Sequence, residues 1–283
     1  MQGFALAGAA ALIWSSAFAA AKFGIADCPP LLFLVIRFVS AGSIMLAWAA
    51  ARGISTGRRE VAVLAGLGLL NFGAYLGFST VALAFVPSAV VAAIVGVNPV
   101  LSVAAAAVLL GETPSRRAIA ALGLGVAGLA IVMLPRAVAS GGGDAVGYAL
   151  AVFGLISLSL GTVLFRRYGT RAEPVLANAV QSLGAGLALV PVSAALENWG
   201  AIRATATLVA SQAWLVGGVS IAGYLIWFRM LRSGSLAAAA VAQFAVPPLG
   251  LAYGALLHGE TLAVTDLLGL VPILGALALI NRK

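Results

Sequence analysis

The chain has 283 residues, of which 63% are hydrophobic and only 8% charged, with a net charge of +8 and a mean hydropathy of +1.12. A soluble domain carries about 25% charged residues, so a soluble core of this size is excluded and an integral membrane protein remains. A pI near 10.6 would direct a soluble protein toward nucleic acid, but here the basic residues lie in short clusters between apolar stretches, and no nucleic-acid partner is implied.

The pattern predicts an all-α membrane protein with ten transmembrane helices, at about 3–24, 31–51, 61–84, 88–110, 117–135, 145–165, 174–195, 209–228, 236–257 and 265–281. At 1.5 Å per residue, each covers about 30 Å of hydrocarbon, the shortest only just. Strand-like alternation is absent, which excludes a barrel. The first segment lacks a basic leading region and a cleavage site and reads as a retained helix. It offers Trp14, Ser15, Ser16 and Phe18. Cys28 is the only cysteine, so no intrachain disulfide forms.

Arg37 is the one clear charge within a span, six residues into the second segment. An intramembrane charge is a functional candidate by default. It could also snorkel to the surface, and the reading here favours a structural role, holding carbonyls or helix ends. In the third segment Asn71, Tyr75, Phe78 and Ser79 share an expected face; in the fourth, Ile94, Asn98, Leu101 and Ser102 do. Pro99 lies near the middle of the fourth span, where it should strip the Val95 carbonyl of its helical partner. Gly123-Leu124-Gly125-Val126-Ala127-Gly128 has the form of a dinucleotide loop. It sits inside an apolar helix with no strand before it, so helix contact explains it. The sixth segment carries Ser157, Ser159 and Thr162, and the eighth Ser220, Tyr224 and Trp227. In the ninth, Gln243 stands one turn before Pro247. Single Ser and Thr residues read as interhelical bonds. For Asn71, Asn98 and Gln243 a cavity is at least as good an explanation, since an amide in lipid is costly.

The chain repeats itself at an offset of 148: Pro99 followed by Gly111-Glu112-Thr113 recurs as Pro247 followed by Gly259-Glu260-Thr261. A second register, at 144, relates Lys22 to Arg166 and Arg37 to Gln181. Two halves of five helices, 1–140 and 141–283, must enter the membrane from opposite sides, as inverted repeats. Sorting the 16 Lys and Arg by side leaves only Lys22, Arg136 and Arg203 opposite the termini, with Arg37 within a span. The positive-inside rule then places both termini in the cytoplasm. Pro99 and Pro247 read as kinks that either wall a midplane cavity or serve structure alone; the two roles are compatible.

Catalytic constellations are missing. His258 is the only histidine, and no metal cluster or phosphate loop is present, so neither an enzyme, a cofactor nor a metal is expected. With no Asp or Glu deep in a span, proton or sodium coupling is disfavoured. Glu112 and Glu260 are expected to fix the following turn and the N-terminus of the next helix.

The stretch Leu12-Ile13-Trp14-Ser15-Ser16-Ala17-Phe18, with Lys22, Pro29-Pro30 and Arg37-Phe38, resembles the opening of EamA-type members of the drug/metabolite transporter superfamily. The two Pro…Gly-Glu segments resemble the end of each EamA repeat. The resemblance implies a central cavity walled mainly by helices 1, 3, 4, 6, 8 and 9. It further implies export of amino acids or related metabolites from bacteria, across the inner membrane, and extends to the aromatic and neutral amino-acid exporters. The expected partners are thus a small-molecule substrate and the lipid bilayer; a monomer is compatible with this and the oligomeric state is left open. The expected solute contacts are Trp14, Ser16, Asn71, Tyr75, Ser79, Asn98, Tyr224, Trp227 and Gln243, in a cavity lacking ionised groups that binds through amides, hydroxyls and freed carbonyls. A proton-coupled drug exporter and a passive channel are the alternatives.

Overall fold

The computed structural model describes residues 2–139, 144–168, 172–226 and 236–281, with side chains left out at 2–5, 7, 136–139, 236–244, 280 and 281. Among the described residues all regular structure is helical and, a short 3-10 turn at Trp199–Ala201 aside, groups into ten runs. They are α1 (Gln2–Ser15, continued as Ala17–Ile25), α2 (Pro30–Ala51), α3 (Arg58–Gly68 through Tyr75–Ala82) and α4 (Ser88–Val95 and Asn98–Leu110). Next come α5 (Arg116–Ala139), α6 (Ala145–Tyr168), α7 (Pro174–Leu196) and α8 (Ala206–Ala213 and the turns after it). The last are α9 (Leu236–His258) and α10 (Val264–Asn281). Seven are long and apolar enough to cross a membrane, or eight if the two pieces of α4, bent by 40°, form one span. Val264–Leu279 is a shorter apolar helix. The molecule is thus an all-helical membrane protein.

Three local choices shape these helices. Gly111 and Gly259, at φ of 68° and 62°, end α4 and α9 in the left-handed conformation. That region penalises a Cβ, which explains why glycine opens both copies of the Gly-Glu-Thr repeat. Pro99 removes an N–H at the point where α4 breaks, and Val97 N–H turns back to the Ile94 carbonyl. In α9, Pro247 and Pro248 lie inside a continuous helix. The kink expected of both prolines is therefore a break in one half and not in the other. Finally, α3 and α8 each contain a π-helical stretch, Leu69–Ala74 and Trp214–Gly223, at corresponding places in the two halves. Such wide turns insert an extra residue and recur at functional sites.

The packing has its own symmetry. Helix α2 lies along α7, and α5 along α10; α1 lies on α9 as α6 lies on α4; α3 packs on α6 and α7, α8 on α1 and α2. At the centre α4 crosses α9, where a Cβ on Gly250 would come within 2.5 Å of the Ala92 Cβ, and one on Gly96 within 2.6 Å of the Pro247 Cγ. Gly250, and Gly254 one turn on, where a Cβ would come within 2.9 Å of the Ala89 Cβ, thus form a packing seam on α9. The glycine run of α5 serves likewise: a Cβ on Gly128 would approach the Gly269 carbonyl oxygen to 2.8 Å. One apolar cluster, including Phe33, Leu34, Phe38, Val90, Ile94 and Leu277, runs through the centre.

Carboxylates finish the helix ends. Glu197, after α7, accepts from the Leu31 and Leu32 N–H groups at 2.7 and 2.8 Å, capping α2. Asp27 pairs with Arg203 at 2.7 Å. Between them, burial pushes the Cys28 thiol up to about 11, with the Glu197 charge adding to the effect; the thiol is inert at neutral pH. Glu260 does not cap α10, the helix that follows it. It reaches back to α4, accepting from Ser88 N–H at 2.8 Å and Ala89 N–H at 3.1 Å, and pairs with Lys22 of α1 at 2.7 Å. The expectation of a local cap fails because Asp266 already holds Ala263 N–H at 2.8 Å. Glu112 likewise turns outward, to Arg166 of α6 at 2.8 Å.

Candidate functional site

A cavity of about 350 Å³ lies between the two halves. Its wall includes Trp14 and Phe18 from α1, Phe72, Tyr75 and Thr80 from α3, Val95, Asn98 and Pro99 from α4, and Val219, Ser220 and Tyr224 from α8. Leu158 of α6 and Val246 of α9 complete the ring of helices expected to line it. Helices α2 and α7 also enter, with Arg37, Phe38, Asn178 and Ser182.

Each of the two tyrosines follows a π-helical stretch, Tyr75 after Ala74 and Tyr224 after Gly223. Rings continue along one wall. Trp14 meets Tyr224 edge-on at 6.0 Å, Tyr224 meets Phe72 at 5.8 Å, and Phe72 stacks on Phe38 at 5.6 Å. Such pairs fix ring orientation and offer flat apolar faces to a solute. Asn98 is oriented from two sides: its Oδ1 accepts from Ser159 at 2.9 Å and from Ser102 at 3.2 Å. Breaking α4 at Gly96 and Val97 leaves Val95, a wall residue, without the helical N–H that Pro99 lacks.

The sequence reading expected no ionised group here, and Arg37 overturns it. The side chain is 5% exposed and does not snorkel to the surface. Its Nε–H donates to Ser220 Oγ at 3.1 Å, and its guanidinium lies 5.5 Å from the centre of the Phe38 ring. Asn178 is anchored on the same residue, its Nδ2 donating to the Ser220 carbonyl at 3.0 Å. The Asn178 Oδ1 is buried and, among the described residues, accepts no hydrogen bond.

Of the solute contacts expected from sequence, Trp14, Tyr75, Asn98 and Tyr224 line the cavity, as does Pro99. Three do not. Asn71 donates to Gln181 Oε1 at 3.0 Å, a contact between α3 and α7. Ser79 is fully buried where α6 presses on α3; a Cβ on Gly154 would come within 2.5 Å of its Oγ. Ser16 sits at the break in α1, donating to the Ile13 carbonyl at 2.7 Å and accepting from Trp214 Nε1 at 2.9 Å. The side chains of Trp227 and Gln243 lie outside the described residues. Pro247 packs on Gly96, beside the wall rather than in it. Asn178 and Ser182 escaped the sequence reading, although the cost of an amide in lipid flagged Asn178 as clearly as it flagged Asn98.

Comparison with known proteins supplies the family. A profile of the EamA-like transporter family matches twice, over residues 1–134 and 145–282. The inner membrane transporter YedA of Escherichia coli (strain K12), named as uncharacterized, is 30% identical over 95% of this chain and 87% of its own length. A probable amino-acid metabolite efflux pump of Salmonella typhimurium (strain LT2) is 28% identical over 94% of this chain and 90% of its own. One crystal structure at 22% identity covers 98% of this chain and 96% of that one with a TM-score of 0.66, which establishes a shared fold. With both halves matched, the chain belongs to the EamA-like transporter family and is a multi-pass membrane transporter, not an enzyme.

Proposed function

We propose that the chain exports small amphipathic metabolites, and specifically aromatic or neutral amino acids, across a bacterial inner membrane by alternating access. In this reading it spans the membrane ten times, as two inverted five-helix repeats at 1–140 and 141–283, with both termini in the cytoplasm. The observation that carries it is the central cavity of about 350 Å³, built from both halves and lined by aromatic rings beside a few oriented polar groups. That volume lies at the small end of ligand sites, which suits a solute of amino-acid size.

Three further observations support the reading. The packing pairs map onto themselves when the halves are exchanged, as a pseudo-two-fold requires. Contacts between helix ends respect the two-sided layout: the connection after α1 meets that after α7 through Asp27 and Arg203, the one after α9 meets the start of α4, and the one after α4 meets the end of α6. The relative named as a probable amino-acid metabolite efflux pump spans nearly the whole chain.

Purified protein in liposomes preloaded with L-phenylalanine tests this directly. Saturable uptake of labelled phenylalanine, stimulated by internal unlabelled phenylalanine or leucine, is expected. Flux that never saturates would mark a channel, and no flux for any amino acid would remove the substrate assignment.

A further inference from the structure

We infer that Arg37 is the recognition site for the carboxylate of the transported solute, so that the cavity selects carboxylate-bearing molecules over amines, esters and amides. This rests on the transporter reading above and names the chemical group that it leaves open.

The chain has eight Asp and Glu residues, and all eight lie at helix ends. Asp27 pairs with Arg203, Glu112 with Arg166 and Glu260 with Lys22. Glu173 and Glu197 cap α7 and α2. Glu60 bonds Thr56, Asp266 bonds Ala263 N–H, and Asp144 precedes the first residue of α6. None lines the cavity. Arg37 is therefore a buried cation to which the described residues supply no counterion. A guanidinium keeps its charge, and a buried charge is tolerated only when something compensates it. Ser220 takes one of its five N–H groups. Among the described residues no acceptor meets the Nη atoms. The Nη groups form the planar fork that fits a carboxylate bidentately.

A second observation points to the same place. Asn178 is 3% exposed, lines the cavity, and leaves its Oδ1 without a donor. Buried polar atoms are nearly always satisfied. An orphan acceptor fixed to Ser220, beside a cation fixed to Ser220, provides complementary partners for the ammonium and carboxylate of one zwitterion. Ser220 is thus a positioning residue that sets Nε of Arg37 with its hydroxyl and Nδ2 of Asn178 with its carbonyl.

The test uses purified full-length protein and four probes that share one ring: L-phenylalanine, 3-phenylpropionate, phenylalaninamide and phenethylamine. Binding is read in detergent by the quenching of tryptophan fluorescence, which needs no transport. Phenylalanine and 3-phenylpropionate should bind, and the two probes without a carboxylate should bind at least about thirtyfold more weakly. Arg37→Gln should erase that preference, Arg37→Lys should keep part of it, and Ser220→Ala should weaken carboxylate binding by about two- to tenfold while leaving phenethylamine unchanged. Should Arg37→Gln fail to fold, Ser220→Ala carries the test. Equal binding of phenethylamine and phenylalanine, no binding of either carboxylate, or an undiminished preference in Arg37→Gln or Ser220→Ala would overturn the assignment. Carboxylate binding that persists without amino-acid flux in liposomes would instead remove the export reading and leave Arg37 in place.

Discussion

Lys22 with Glu260, and Arg166 with Glu112, are one ion pair built twice. The repeat relates Lys22 to Arg166 and Glu112 to Glu260, and both pairs close at about the same distance, 2.7 and 2.8 Å. Their surroundings differ. The Glu260 side chain is 7% exposed and also receives Ser88 Oγ and two backbone N–H groups, whereas the Glu112 and Arg166 side chains are 48% and 58% exposed. Burial works against the charge of Glu260, yet the Lys22 ammonium and the Ser88 and Ala89 N–H groups outweigh it and hold the carboxyl below its ordinary value. A duplicated sequence has thus made one end of the molecule a clasp that joins α1, α4 and the α9–α10 connection, and left the other a loose surface contact. The lesson is that symmetry fixes which residues meet, while burial fixes what the meeting is worth.

Substitutions break this comparison in a defined order. Glu260→Ala should cost most, about 2–4 kcal/mol, since it strands Lys22 and two helix N–H groups together. The midpoint of thermal unfolding in detergent should fall by several degrees. Lys22→Gln removes the ion pair but keeps the cap on α4, and should cost about 1 kcal/mol in the same assay. Glu112→Gln should change the midpoint least, by less than about 1 kcal/mol, because exposed pairs are screened and mobile. A Glu112→Gln penalty as large as that of Glu260→Ala would show that burial does not distinguish the two ends.

Acid sharpens the same contrast. Glu260 titrates below its ordinary value of 4.5 in the folded chain. Its contribution is present above that value and disappears as the pH falls through the lower, folded one. The gap in thermal midpoint between the native chain and Glu260→Gln should be constant from pH 7 to about 5 and close below about 4.5. A gap that closes near neutrality would assign the effect to another group.

Much of the scaffold was legible because it rests on two coarse signals, apolar length and duplication. Gly111 and Gly259 could be paired by counting, and both cap their helices in the same conformation. The site was legible where a single residue broke the apolar pattern. Asn98 stands at the break of α4 that Pro99 marks, and Arg37 was visible as the one charge within a span, although a structural role was expected of it and not a place in the cavity wall. The π-helical stretches were not legible. In a segment as evenly apolar as Leu69–Ala74, the extra residue leaves no trace in the hydrophobic pattern. It nevertheless shifts the helical phase, so Asn71 and Tyr75, expected on one face, part company: one binds Gln181 of α7, and the other lines the cavity. The roles of α2 and α7 were missed for another reason. Both are packed along each other for most of their length, and only the short polar patch at Arg37, Asn178 and Ser182 reaches the centre.

The missing counterion of Arg37 has an electrical consequence. A cavity with one guanidinium and no carboxylate carries a formal charge of +1 when empty. A zwitterion leaves it there, while a monocarboxylate without an amine brings it to neutrality. Passage of the zwitterion moves no net charge across the membrane, whereas outward passage of the lone anion releases about 2.3 kcal/mol per 100 mV of inside-negative potential. Current recordings on proteoliposomes therefore separate the two solutes: no sustained current for phenylalanine, and a sustained current for 3-phenylpropionate.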